Sequence, residues 1–369
     1  RETLNGVPVI RVPLFPDHSR SGVKRACNYV SFALSSALLG LGLIPRVDLV
    51  YVIHPPLTVG FPAWLLSRFL RVPFIYEIQD MWPETLRATG MVRSEKVLGI
   101  VGRFAKWIYR RAAAIRVISP GFRENLLDKG VPPEKVQVIS NWVDTDFYRP
   151  VPADPALADR LGFSGRFNVL YAGSIGPAQG LSTVLSAASL LRDVPQVQFV
   201  LAGDGIDRQR LQNEAQQQGL SNVRFLGRLP AEEMPGIYAL ADVLLIHLRA
   251  DPLFRITIPH KTFTYMASGK PVLAAVEGDV AAVIQSAEAG FTCPPDDAAA
   301  MAAGVRRLLA LSEAERRRLG DQGRQAACQL YGREPLVRQI ACLLEREVAT
   351  RASRVRWGLR RSTMGSTAT

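Results

Sequence analysis

Short apolar runs and longer amphipathic stretches alternate along most of this chain. Runs rich in Val, Ile and Leu occupy 7–14, 47–53, 73–78, 114–119, 136–140, 167–173, 197–203, 223–227, 242–248 and 271–276. They are apolar at consecutive positions, as strands are when helices cover both faces of a parallel sheet. Segments of helical period separate most of them, for example 181–191, 206–217, 231–241, 261–268 and 278–288. Strands alternating with helices predict an α/β fold of doubly wound parallel sheets.

The pattern breaks at RPVPADPALAD, Arg149–Asp159, which is rich in Pro, Asp and Ala and lacks strand character. This divides the chain into a first domain over 1–149 and a second over 150–330. Residues 331–352 read as a helix expected to cross back to the first domain, and the basic, then Ser/Thr/Gly-rich 353–369 as a flexible tail. The first domain opens without a Gly-rich strand–turn–helix, so the βα unit that usually lies at the centre of such a sheet is expected to be missing. Roughly sixty residues are expected to precede Arg1. The uncharged stretch Ala26–Pro45 is about as long as a bilayer span. It contains Asn28, Ser31, Ser35, Ser36 and two glycines and runs into a strand, which favours a buried or membrane-resting helix over a crossing one.

Composition narrows the partners. The 369 residues hold 48% hydrophobic residues, enough for two cores, and 45 Lys and Arg against 33 acids, a net charge of +12. A basic excess suits a nucleotide, a nucleic acid or a lipid head group. No nucleic-acid recognition module is present, so a nucleic-acid partner is not expected. Cys27, Cys293, Cys328 and Cys342 form no CxxC pair. Neither a zinc site nor a disulfide framework is expected, and a reducing compartment fits.

Several segments carry possible chemistry. In YAGSIGPAQGL a strand ends at Gly173 and a loop with Gly176 and Gly180 leads into a helix near Leu181. Such a loop presents backbone N–H groups to an anion, although tight turns without ligand look the same. LAGDG repeats the form through Gly203, Asp204 and Gly205, and two such turns suit one nucleotide crevice. In LFRITIPHKTFTYMASGK, Arg255 and Lys261 flank the start of a helix, where a cation is unfavourable unless an anion compensates it. YEIQDMWPE places Glu77, Asp80 and Glu84 after a strand. Asp80 is the acid suited to accept a proton, or it is an ordinary turn cap. His54 follows another strand and could face an acceptor, whereas His247 reads as packed in its sheet. Residues 95–112 read as a basic amphipathic helix, with Val97, Val101, Phe104 and Ile108 as its apolar stripe and an anionic membrane surface as its partner.

Taken in order, HPPLTVG, YEIQDMWPE, VISPGF, ISNWVDTDFY, YAGSIGPAQGL, LAGDG, RFLGRLP, ADVLLIHL and IPHKTFTYMASGKPVLA resemble family-four glycosyltransferases of the GT-B fold. The likeness is to the WbuB-type branch, which includes N-acetyl-L-fucosamine and colanic acid transferases, and it covers about residues 5–345. It implies two Rossmann-like domains facing a cleft. It also implies retaining transfer of a sugar from a nucleotide sugar, usually a UDP-sugar, to a polyprenyl-phosphate-linked acceptor at the inner face of the cytoplasmic membrane. The nucleotide sugar is a co-substrate, and neither a cofactor nor a metal is expected, since no DxD-type carboxylate pair stands in the right place. Many relatives hold the diphosphate with an Arg and a Lys where this chain has Ser174 and Gln179. They hold the ribose with a Glu where it has Thr264. Diphosphate binding is then expected to shift toward Arg255, Lys261 and backbone N–H groups. A nucleotide-sugar epimerase and a catalytically silent partner in a polysaccharide assembly complex remain alternatives.

Overall fold

The computed structural model describes residues 1–17 and 22–364, with side chains through Arg351. It divides into two compact units, one of Arg1–Ile139 with Arg338–Thr369, the other Ser140–Val337.

The first unit contains β1 (Glu2–Leu4), β2 (Val7–Val9), α1 (Gly22–Leu43), β3 (Val50–His54), α2 (Gly60–Leu70), β4 (Phe74–Ile78) and α3 (Glu84–Ala88). It continues with α4 (Glu95–Arg111), β5 (Ala114–Val117), α5 (Pro120–Asp128) and β6 (Val136–Val138). Strands β3-β4-β5-β6 form a parallel sheet in that order. The second unit contains α6 (Pro155–Leu161), β7 (Phe167–Ala172), α7 (Ser182–Leu190), β8 (Val197–Ala202), α8 (Arg208–Gln217), β9 (Val223–Gly227), α9 (Met234–Ala239) and β10 (Val243–His247). Then follow α10 (Pro252–Ile256), α11 (Lys261–Ala267), β11 (Val272–Ala275), α12 (Asp279–Ser286), β12 (Gly290–Cys293), α13 (Ala298–Ala310) and α14 (Glu313–Leu330). Helix α15 (Arg333–Met364) starts in this unit and belongs to the first from Arg338 onward.

The second sheet is parallel throughout, in the order β12-β11-β10-β7-β8-β9. Its first strand, β7, lies at the centre between β8 and β10, so the winding reverses between β7 and β10. Crevices for ligands form outside the carboxyl ends of the strands at such a reversal. The continuous apolar runs are explained by burial on both faces: every residue of β7, β8 and β10 is buried.

Four expectations change. The run at 7–14 supplies no parallel strand. Asn5 and Gly6 both take positive φ and turn β1 back on β2 as an exposed antiparallel hairpin, as Asn-Gly favours. Units part at Ile139/Ser140, ahead of the Pro-rich 149–159, because residues after 140 are fastened to the second unit. The Val143 N–H donates to the Tyr331 carbonyl (2.8 Å), and Arg324 donates to that of Tyr148 (2.7 Å). Residues 353–364, read as tail, continue α15, with four arginines, a leucine and a methionine as good helix formers among them; 365–369 lie outside the described residues. Strand β12, only four residues long, gave no recognisable run.

In the first unit the buried Glu77 carboxylate pairs with the equally buried Arg116 at 2.5 Å and accepts hydrogen bonds from Tyr51 and Gln79. Arg116 also donates to the Ile139 carbonyl at 3.1 Å. Removing one partner strands the other charge in the interior. Glu77→Gln is therefore expected to destabilise the first unit by about 3–5 kcal/mol in denaturant titration, without changing nucleotide affinity in the second unit.

Candidate functional site

The central feature lies where β7 and β8 end. The β7 strand gives way to Gly173 and the β8 strand to Gly203, each with φ near +142°. The Gly173 N–H donates to the Ala202 carbonyl (2.9 Å), and the Ile175 N–H to that of Asp204 (2.9 Å). A Cβ on Gly203 would lie 1.8 Å from the Gly173 carbonyl oxygen, so the second glycine is required by the packing of one turn on the other. A Cβ on Gly173 would lie 2.6 Å from Lys261 Nζ, so the first is required by a cation.

Lys261 is the first residue of α11, the second helix after β10. Its ammonium lies 3.8 Å from the centroid of the Tyr171 ring. The ring is fixed because the Tyr171 hydroxyl donates to the Ser174 carbonyl at 2.6 Å. Burial alone pushes the lysine down to about 7. Cation–π attraction accounts for about 2 kcal/mol at a desolvated site, less than the cost of burying an unpaired ammonium at a helix N-terminus. An anion beside it would offset that cost.

These groups border a cavity of about 580 Å³ confined to the second unit. Of the residues nominated from sequence, Gly173, Ser174, Gly203, Asp204, Lys261 and Thr264 line it. Thr264 is buried, its hydroxyl donating to the Lys261 carbonyl at 3.1 Å and bonding to Tyr238. Asp204 is the sole acid of the wall, and it bonds the Gly205 N–H (2.8 Å) and faces Arg208 (3.7 Å). The cavity is therefore cationic where it is deepest.

The other nominated residues stand apart from this wall. Gly176, Gln179 and Gly180 belong to a loop tied to the end of β10: the Arg249 N–H donates to the Ala178 carbonyl (3.0 Å), and the buried His247 ring bonds the Gln179 carbonyl (2.5 Å). Gly205 packs on the Ile175 carbonyl. Arg255 is exposed and faces Glu277 at 3.5 Å, because the five-residue α10 ends before the cavity. The wall's second cation is Arg228, after β9, in the stretch RFLGRLP. Sequence reading also passed over the aromatic wall of Tyr148 and Tyr238.

In the first unit, the nominated acids have partners. Glu77 serves the buried ion pair described above. Glu84 pairs with Lys129 at 2.7 Å. Asp80, at the carboxyl end of β4, is raised by burial and opposed by hydrogen bonds from Thr85, Trp82 and the Met81 N–H. His54 is buried at the end of β3, its ring edge-on to Trp82 at 5.3 Å, and burial lowers it to about 4, so it stays neutral. In α4 the buried face is Leu98, Ala105, Ile108 and Tyr109. Of the stripe Val97, Val101, Phe104 and Ile108, Ile108 belongs to that face, Val101 and Phe104 are half-buried and Val97 is exposed. The basic residues of the helix stay exposed. Among the described residues no group of three His, Cys, Asp or Glu is placed to hold a metal ion.

Residues 157–326 match the family described as Glycosyl transferases group 1, and residues 1–142 match the Glycosyl transferase 4-like domain. The chain is 28% identical over 251 residues to the probable glycosyltransferase WbjE of Pseudomonas aeruginosa, covering 65% of this chain and 62% of WbjE. It is 26% identical over 313 residues to WcaI of Escherichia coli K12, a putative colanic acid biosynthesis glycosyl transferase, covering 82% and 76%. Among solved structures, Anabaena HepE in complex with UDP has a TM-score of 0.72 at 20% identity, covering 85% of this chain and 83% of HepE.

The uncompensated lysine makes a stability prediction. Its folded value of about 7 lies below the unfolded value, about 10.4. Between those pH values the unfolded chain holds a proton that the native chain has lost, so stability rises with pH across this window, by at most about 1.4 kcal/mol per pH unit. Without nucleotide, Lys261→Met is expected to be more stable than the wild type at pH 7, and the wild-type-minus-variant difference is expected to shrink toward pH 10. Denaturant unfolding of both proteins across that range checks this.

Proposed function

This chain belongs to the group 1 glycosyltransferases, with the GT-B pair of Rossmann-like domains and relatives in bacterial polysaccharide biosynthesis, and from that premise we propose that it moves a sugar from a UDP-sugar to a lipid-linked acceptor. The observation that carries the reading is the buried Lys261 ammonium beside the Gly173 turn, with no carboxylate among the described residues close enough to neutralise it. A pyrophosphate placed there would satisfy the cation and lie against the exposed backbone of the glycine turns. HepE, of the same fold, is known with UDP bound, which favours uridine.

In the transfer, the bond between the sugar's anomeric carbon and the diphosphate oxygen breaks while the acceptor oxygen bonds to that carbon from the same face. The acceptor's proton passes to the leaving diphosphate, and UDP departs. Lys261 stabilises the charge that grows on the leaving group. Asp80, held by three donors at the end of β4, orients the acceptor hydroxyl, and the neutral His54 beside it shapes the acceptor side. The acceptor's lipid calls for a membrane surface, and the exposed basic side of α4 suits an anionic one at the inner face of the cytoplasmic membrane.

UDP at about 100 times its dissociation constant is expected to stabilise the second unit by roughly 2.7 kcal/mol, with a smaller response to GDP and ADP in thermal denaturation. Lys261→Ala is expected to abolish that response. No response to any nucleotide in the wild type would reject the reading. For the acceptor side, Asp80→Asn is expected to lower transfer of labelled sugar to a lipid extract at least tenfold while leaving the UDP response unchanged.

A further inference from the structure

Nothing in nucleotide binding uses the outer face of α1. This helix has 22 residues, with charge at Lys24 and Arg25 alone. Among the described residues it is the helix long and apolar enough to cross a bilayer. Its inner side is made of small residues: Ala33, Ala37 and Gly40 are buried, and a Cβ on Gly40 would touch Leu66 of α2 at 3.4 Å. The Thr58 hydroxyl donates to the Tyr29 carbonyl (3.0 Å), and the Asn28 amide to that of Phe15 (2.7 Å). A helix bound along its length to a folded unit cannot thread the bilayer without carrying polar surface into it.

The outer side is apolar. Val23, Cys27, Val30, Leu34, Leu38 and Leu41 recur every three or four residues and are exposed, Leu38 to 75%. A stripe of this extent facing solvent marks an interaction surface. Helix α2 packs against both α1 and α4, with Trp64 and Trp107 in edge contact at 5.0 Å and Arg111 stacked 4.1 Å from Trp107. Phe69 of α2 is 64% exposed. The three helices together hold eight Lys and Arg against one acid, Glu95. An uncharged stripe neighboured by tryptophans and cations matches the layering of an anionic bilayer, apolar below and negative above.

We propose that α1 lies in the plane of an anionic bilayer, its outer stripe among the acyl chains and the basic face of α4 on the head groups. This gives the membrane of the proposed lipid-linked acceptor its docking element, and it rests on that reading. The site differs from the nucleotide cavity in unit as well as chemistry, so the two can fail separately.

The test uses the full chain with Cys293, Cys328 and Cys342 changed to Ser and a polarity-sensitive fluorophore on Cys27. Vesicles of phosphatidylethanolamine and phosphatidylglycerol are expected to bind it and shift the emission to the blue, with quenchers placing the label shallowly. Leu34→Glu combined with Leu38→Glu, both at exposed positions, is expected to weaken vesicle binding tenfold or more while preserving the unfolding temperature. Unchanged vesicle binding by this double variant would overturn the proposal. So would a label at mid-bilayer depth, or a wild-type dimer that the variant splits into monomers, which would show a second copy covering the stripe. The UDP response in vesicle-free buffer reports separately on the nucleotide reading.

Discussion

A buried ammonium without a counter-charge is the constraint on which the second unit is organised. Lys261 is held under Tyr171, and the space for it exists because position 173 has no side chain. Tyr171 keeps its place through the Ser174 carbonyl, while Tyr265 clamps both the N–H and the carbonyl of Ala172, one residue before the turn. The end of β7, the glycine turn and the start of α11 thus form one rigid assembly around a charge that the protein leaves unneutralised. Among the described residues, buried Glu77 is paired with Arg116 and half-buried Glu84 with Lys129.

Topology explains why that charge stands where it does. Because β7 and β10 are neighbours at the reversal of winding, the loops after them diverge to opposite faces of the sheet and leave a crevice between. The turn after β8 adds a second layer of backbone, packed so tightly on the first that Gly203 can carry no side chain. A ligand in the cavity meets rigid backbone and a fixed cation, so little reorganisation would accompany binding. In the proposed transfer, that preorganisation would favour charge development on the leaving diphosphate.

Much of the fold was legible because parallel strands buried on both faces leave continuous Val/Ile/Leu runs, and nine of the ten runs seen in the sequence fall on strands of the two parallel sheets. The tenth, at 7–14, failed because the Asn5–Gly6 turn outweighs a short apolar run containing two prolines. Lys261 could be found because a lysine at a predicted helix start violates the helix dipole. Arg255 shared that logic, but its helix ends early and its side chain turns to Glu277. Arg228 could not be placed from sequence, since nothing in a solvent-facing arginine after β9 says which crevice it borders. The predicted α4 stripe of Val97, Val101, Phe104 and Ile108 coincides only in part with the buried face, which is Leu98, Ala105, Ile108 and Tyr109. Periodicity shows that a face exists, and only packing decides which of two apolar faces is buried.

The central claim is that a pyrophosphate supplies the charge Lys261 lacks. Calorimetric titration with UDP at pH 8, repeated in buffers of different ionisation enthalpy, counts the protons taken up on binding. With the lysine near 7 in the free protein, an anion beside it restores the lost proton, so uptake approaching one proton per UDP is predicted, and none for Lys261→Met. Wild-type binding with no proton uptake at that pH would show that the pyrophosphate does not sit against Lys261.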